Sequence, residues 1–155
     1  MPSRYMADFE TTSDKNDCRV WLWCLVDLSD YSKIQYGTSL ASFFKAIRGG
    51  DKTIYFHNLK FDGQFILWYA MSVLKMKVTQ EREPWAINTL ISDAGLFYKI
   101  ELIYSYKNKH AHKTVFLDSY KKLAFPVRDI AKAYGLEESK GEIDYNKPRP
   151  VGYQP

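Results

Sequence analysis

Asp8 and Glu10 are the residues of this 155-residue chain best suited to chemistry. They stand two residues apart in Met6-Ala7-Asp8-Phe9-Glu10-Thr11-Thr12, at the end of an apolar N-terminal stretch. Side chains at i and i+2 of a strand project from one face, so both carboxylates emerge together. Adjacent like charges repel, and an unpaired buried carboxylate is costly. A hard divalent cation resolves the conflict, because Mg²⁺ or Mn²⁺ takes oxygen ligands and is held by one or two carboxylates plus substrate phosphates. The plainer alternative is one acid solvated at the strand end and the other acting as a cap, since Asp-x-Glu alone is a common string.

A second segment adds weight. Ile54-Tyr55-Phe56-His57-Asn58-Leu59-Lys60-Phe61-Asp62-Gly63-Gln64-Phe65-Ile66 reads as a short buried strand, a turn and a helix start. Asn58 and Asp62 fall at the turn, and Gly63 permits close backbone approach. With both segments in view, the chain resembles the N-terminal 3′–5′ exonuclease domain of the protein-primed family B DNA polymerases of small bacteriophages. Asp8-Phe9-Glu10-Thr11-Thr12 matches that family's first exonuclease motif and His57-Asn58-Leu59-Lys60-Phe61-Asp62-Gly63 its second. Asp118-Ser119-Tyr120-Lys121-Lys122-Leu123-Ala124-Phe125-Pro126-Val127 and Lys140-Gly141-Glu142-Ile143-Asp144-Tyr145 match two further stretches, and Arg149-Pro150-Val151-Gly152-Tyr153 follows in step. The resemblance runs through essentially the whole chain in the family's order.

The resemblance implies a single domain over residues 1–155, of the α/β (α+β) class. It is a ribonuclease H-like mixed sheet flanked by helices, of the DnaQ-like exonuclease type. The implied activity is proofreading: binding a single-stranded 3′ end and hydrolysing its terminal phosphodiester with Mg²⁺ or Mn²⁺. Two ions about 4 Å apart would activate water and stabilise the leaving oxygen. By resemblance Asp8 bridges both ions, Glu10 helps hold the water-activating one, and Asp62 supports the other. Lys140 matches a lysine that contacts the reactive phosphate region, where a cation stabilises developing charge. Thr11, Asn58, Phe61, Ser119, Phe125 and Tyr145 match positions that grip the DNA end. Phe65 matches another DNA contact, although its helical spacing also suits the core. Tyr120 stands where the family has leucine.

Asp118 reads as a capping or turn residue, and His57 as a hydrogen-bonded turn residue. His110 and His112 have strand spacing, which is weak as a metal signal.

The family completes its site with a Tyr-x-x-x-Asp motif, and no such string lies in the C-terminal region. The chain therefore reads as C-terminally truncated, with weak digestion expected, or none. In a full-length relative the partners would be the polymerase domain and a terminal protein. The alternative function is a stand-alone, inactive phage protein that binds a host replication or defence component.

Composition agrees with a DNA-binding role without requiring it. The net charge is +4, and Lys107, Lys109, Lys113, Lys121 and Lys122 crowd a stretch whose only acid is Asp118. Such a run is either a solvated face or a surface that steers phosphates toward the acids. Twelve Tyr, nine Phe and four Trp supply core packing and, where exposed beside the acids, stacking on unpaired bases. Cys18 and Cys24 lack metal-ligand spacing and read as buried thiols in a reducing compartment. No signal peptide or membrane span is evident, which points to the cytoplasm.

The elements that must position these groups follow from periodicity. Strands are predicted over Arg4–Phe9, Arg19–Leu28, Ile34–Tyr36 and Thr53–Phe56, with turn-rich Ser13–Asp17 closing the first hairpin. A helix is predicted over Ser39–Ile47, stopped at Gly49-Gly50, and another over Gln64–Leu74 with Phe65, Trp68, Tyr69 and Val73 inward. Trp85–Ile91, Leu96–Tyr104 and His112–Leu117 read as a second antiparallel group, turning at Asp93-Ala94-Gly95 and Lys107-Asn108-Lys109. Pro126 opens a helix through Tyr134, and a polar tail follows from Glu137.

Overall fold

A computed structural model describes residues 2–12, 16–91 and 97–119. Alternation of apolar and polar residues gives strand β1 (Ser3–Thr11), whose Ala7 and Phe9 are buried while Asp8 is exposed. β2 (Val20–Asp27) and β3 (Ile34–Gly37) follow it as antiparallel neighbours. Helix α1 (Leu40–Ile47) starts at Ser39, whose side chain accepts from the Ser42 N–H, and it buries Phe43, Phe44 and Ile47. β4 (Lys52–Phe56) then lies parallel to β1, and α2 (Leu59–Ser72) follows directly. β5 (Lys77–Val78), β6 (Ala86–Ile91), β7 (Phe97–Lys107) and β8 (His110–Asp118) complete the described elements.

All eight strands form one mixed sheet in the order β3-β2-β1-β4-β8-β7-β6-β5. The second antiparallel group is therefore not separate: β8 joins it to β4 through parallel pairing. Residues from both helices and from β1, β2, β4, β6, β7 and β8 share one core cluster, so the helices cover the same face of the sheet. The α/β class with a mixed sheet is as expected.

Some local expectations are corrected. α2 begins at Leu59 rather than Gln64, and its inward stripe is Leu59, Asp62, Gly63, Ile66 and Ala70. Trp68 is 57 % exposed and Val73 is half exposed just beyond the helix; only Phe65 and Tyr69 of the expected four pack on the core. The helix is apolar on several sides, so its inward face is set by where it leaves β4 rather than by its own periodicity. Cys18 is exposed and Cys24 partly buried, so neither is a core thiol. The turn at Asp93-Ala94-Gly95, the helix from Pro126 through Tyr134 and the tail lie outside the described residues, as do the site candidates Tyr120, Phe125, Lys140 and Tyr145.

Gly37 seals the junction of β3, β2 and α1. It pairs with Trp23, whose indole N–H donates to Ser42 Oγ at 2.8 Å. A Cβ on residue 37 would lie 2.6 Å from Trp23 Nε1 and 2.7 Å from Ser42 Oγ. Gly37→Ala is therefore expected to break that hydrogen bond and overpack the junction, costing about 2 kcal/mol in urea unfolding. An unchanged midpoint would show that the junction yields freely.

Candidate functional site

Three parallel strands place the candidate residues. Ala7 of β1 pairs with Phe56 of β4, and Phe56 with Asp118 of β8. β4 and β8 end at that row, giving way to His57 and Ser119, while β1 runs on through Asp8 and Glu10 to Thr11 paired only with β2. The carboxyl ends of parallel strands are where α/β sheets offer their loops to ligands.

Asp8 and Glu10 alternate with the buried Ala7 and Phe9, so they emerge from the face opposite the helices. Asp8 pairs across the ladder with Cys24. Burial, and then the Asp8 carboxylate, push the Cys24 thiol up from its ordinary value. The ladder is irregular between Glu10 and Thr11, where pairing passes from Leu22 to Val20 and skips Trp21. A bulge at this point re-aims the end of the strand, and bulges concentrate beside active sites.

The β4–α2 turn supplies the second group. Asn58 adopts a left-handed conformation, φ 67° and ψ 62°, and its side chain makes no cap hydrogen bond. Its backbone N–H donates to Asp118 Oδ1 at 3.2 Å, which fixes the turn against β8. Ser119 adds a backbone hydrogen bond to the Phe56 carbonyl at 2.9 Å, and its Oγ lies 3.4 Å from His57 Nδ1. Asp118 and Ser119 are buried, so this is a structural clamp. That agrees with the capping role expected for Asp118 and the turn role expected for His57. Ser119 is held in the clamp rather than displayed on the surface.

Asp62 sits in the first turn of α2, only 5 % exposed, where a carboxylate is favoured by the helix dipole. Phe61, beside it, is 46 % exposed and meets Phe65 edge-on at 5.6 Å between centroids. Phe65 also packs on the core, so it braces Phe61 from below. Thr11 is partly buried at the end of β1.

Among the described residues, no three or more His, Cys, Asp and Glu side chains form a group able to hold a metal ion by themselves. The chemistry of the Asp8–Glu10 donor set still suits a hard cation shared with a phosphate, because Mg²⁺ is commonly held by one or two carboxylates with the substrate completing its shell. Again among the described residues, no helix is long and apolar enough to cross a membrane.

Asn58 gives a direct test of the turn. Asn58→Gly is expected to keep stability, since glycine adopts left-handed backbone freely, while Asn58→Val should cost about 1–2 kcal/mol. If the side chain grips DNA, Asn58→Gly also weakens single-stranded DNA binding without lowering the melting temperature. Thermal melts paired with anisotropy titrations separate the two effects.

Lys107, Lys109 and Lys113 do not flank this site. Lys113 is five residues before Asp118 on β8, about 16 Å along a strand. They lie toward the opposite edge of the sheet, because β8 runs parallel to β4 and Lys113 precedes the Thr114–Lys52 pair. The expectation that the run steers phosphates toward the acids is corrected for these three lysines; Lys121 and Lys122 lie outside the described residues. Its cause was a reading along the sequence of residues that a strand spreads in space.

Comparison with known proteins adds a family. Residues 46–152 match the family described as DNA polymerase type B, organellar and viral. The chain is 44% identical over 156 residues to the DNA polymerases of Bacillus phages PZA and phi29, in alignments covering 99% of this chain and 27% of each relative. It is 30% identical over 169 residues to the DNA polymerase of Streptococcus phage Cp-1. Solved structures of phi29 DNA polymerase complexed with primer-template DNA, and with single-stranded DNA, each superpose at a TM-score of 0.91. Identity is 41% in both, with 99% of this chain and 27% of theirs covered. The chain spans about a quarter of the length of the curated relatives it matches.

Proposed function

Since this chain belongs to the organellar and viral type B DNA polymerase family, we propose that it is the 3′–5′ exonuclease region of a phage protein-primed DNA polymerase. It binds the single-stranded 3′ end of DNA and hydrolyses the terminal phosphodiester with Mg²⁺ or Mn²⁺. One observation carries this reading: Asp8 and Glu10 share the open face of β1 at the end of the sheet where the parallel strand β4 turns through Asn58 into α2. The likeness to a polymerase solved with single-stranded DNA supports the choice of ligand.

The chain's own residues divide the work. Asp8 and Glu10 would hold the cation; Asp62, buried on the inward stripe of α2, forms no three-acid group with them. When bound, the ion supplies an activated water and relief of phosphate charge. Phe61, braced by Phe65, offers a ring for the terminal base or sugar. The Asn58 amide and the Thr11 hydroxyl donate to sugar or phosphate oxygens. Asp118 and Ser119 hold the Asn58 turn in place and so act as positioning residues. Tyr120, Phe125, Lys140 and Tyr145 complete the proposed grip.

The test is a 5′-labelled single-stranded oligonucleotide incubated with excess protein and Mn²⁺. Weak stepwise shortening from the 3′ end, stopped by EDTA, is the expected pattern. Shortening from the 5′ end, or cutting indifferent to metal, would overturn the assignment.

A further inference from the structure

The sheet edge opposite the carboxylates carries a cationic groove that the exonuclease reading leaves unused. Its volume is about 310 Å³, and its walls include Lys52, Arg82, Lys109, His110, Lys113 and Asp51. These residues come from four separate segments: the start of β4, the β5–β6 connection, the β7–β8 hairpin and β8 itself.

The charge balance is strongly positive. Asp51, the acidic wall residue, is already engaged: His112 Nδ1 lies 2.7 Å from its Oδ1, the Lys113 N–H donates to the same oxygen, and His110 Nε2 lies 3.5 Å from Oδ2. Partial burial works to raise the Asp51 carboxyl, but the His112 and Lys113 hydrogen bonds outweigh it and hold the group below its ordinary value, as an anion. Behind the wall Glu101, 3 % exposed, is shared among Lys99 at 2.9 Å and Arg82 and Lys113 at 3.5 Å each. One buried carboxylate thus faces three cations. Lys52 and Lys109 take part in no salt bridge among the described residues, and burial, opposed only in part by the neighbouring Asp51 carboxylate, holds the Lys52 ammonium below its ordinary value. A partly buried ammonium facing an open groove favours an incoming anion.

We propose that this groove binds backbone phosphates of a DNA strand, at a contact separate from the 3′-end site. The lining contains no Phe, Tyr or Trp ring, and its one imidazole, His110, lies 3.5 Å from Asp51, so a nucleobase has little to stack on, whereas several cations spread across separate segments suit a chain of phosphates. The choice of DNA among polyanions rests on the exonuclease reading; the anion site itself does not.

Lys109 makes the test clean. Asn108 and Lys109 turn the β7–β8 hairpin with φ of 51° and 64°, the conformation in which glycine is preferred at the second position. Lys109→Gly therefore removes a charge while easing the backbone. The probe is a closed circle of single-stranded DNA, which has no 3′ end. Wild-type protein should bind it independently of Mn²⁺, with an affinity that falls as salt rises. In Lys52→Gln/Lys109→Gly, binding at low salt should weaken roughly tenfold and the log–log salt slope should shrink by about 1.4, the value for two lost phosphate contacts on a single strand. The melting temperature should not fall. An unchanged slope, or no binding of the circle by wild type, overturns the proposal. So does binding of a free deoxynucleoside monophosphate, lost in the double variant, without binding of the circle. Failure of the exonuclease reading would look different: linear and circular DNA bind equally and no 3′ shortening occurs with metal.

Discussion

In the Asp8→Ala protein, metal-dependent removal of 3′ nucleotides falls by about a thousandfold, while DNA binding without metal is retained or improved. The two halves of this expectation have one origin. Asp8 is an acid on the exposed face of β1, paired with Cys24 and next but one to Glu10. On the proposed reading, its carboxylate would hold the cation, which would supply an activated water and relief of phosphate charge. Loss of such a group commonly removes two to three powers of ten in rate. Without the ion, the same carboxylate only repels the phosphate, so deleting it cannot weaken a purely electrostatic contact. Single-turnover digestion and anisotropy measured on the same preparation separate the effects. Asp8→Asn keeps the side-chain volume and should behave alike. A third readout comes from Cys24: the Asp8 carboxylate is one of the two influences that raise its thiol, the other being burial. Its alkylation should therefore start at lower pH in Asp8→Asn. If Asp8→Asn leaves both digestion and Cys24 alkylation as they were, Asp8 is not the acid at this edge. If metal-free DNA binding collapses with activity, the residue is structural.

The sequence carried the parts of this edge that depend on short-range pattern. Strict alternation around Ala7 and Phe9 put Asp8 and Glu10 on one face, and Leu40, Phe43, Phe44 and Ile47 marked α1 within one residue of its bounds. What pattern could not show was pairing over long separations. The β4–β8 ladder, which merges two groups of strands and sets Asp118 beside Asn58, joins residues some sixty positions apart. For the same reason Lys107, Lys109 and Lys113 read along the sequence as neighbours of the acids. A strand converts five residues of sequence into about 16 Å, so Lys113 and Asp118 serve opposite edges. The groove with Lys52 and Arg82 was invisible, because its walls come from segments with no shared motif. The start of α2 was missed because Asn58 enters it through left-handed backbone with no side-chain cap to announce it.

Phe43→Ala is expected to be the most destabilising single truncation in the described core, at about 3–5 kcal/mol. Phe43 is fully buried. It stands edge-on to Phe9 at 4.9 Å, Trp23 at 5.5 Å and Phe44 at 5.8 Å, and it also meets Phe56 at 6.2 Å and Phe116 at 6.4 Å. Removing it leaves a cavity walled by five rings that cannot all collapse inward, and typical domains have only about 5–15 kcal/mol in total. Denaturant unfolding should show the loss in midpoint, with Phe43→Leu recovering much of it. The expected effect reaches the site as well. Phe9 lies between Asp8 and Glu10, and it is gripped from beneath by Phe43 and by Phe56 at 4.9 Å. Loosening that grip frees the end of β1, the strand on which both carboxylates ride. Amide exchange should therefore accelerate at Asp8 through Thr11 in Phe43→Ala, at temperatures where the protein is still folded, more than it does in β6 or β7. Uniform acceleration across the sheet would mean that the acid pair has no private support and that Phe43 stabilises only the fold as a whole.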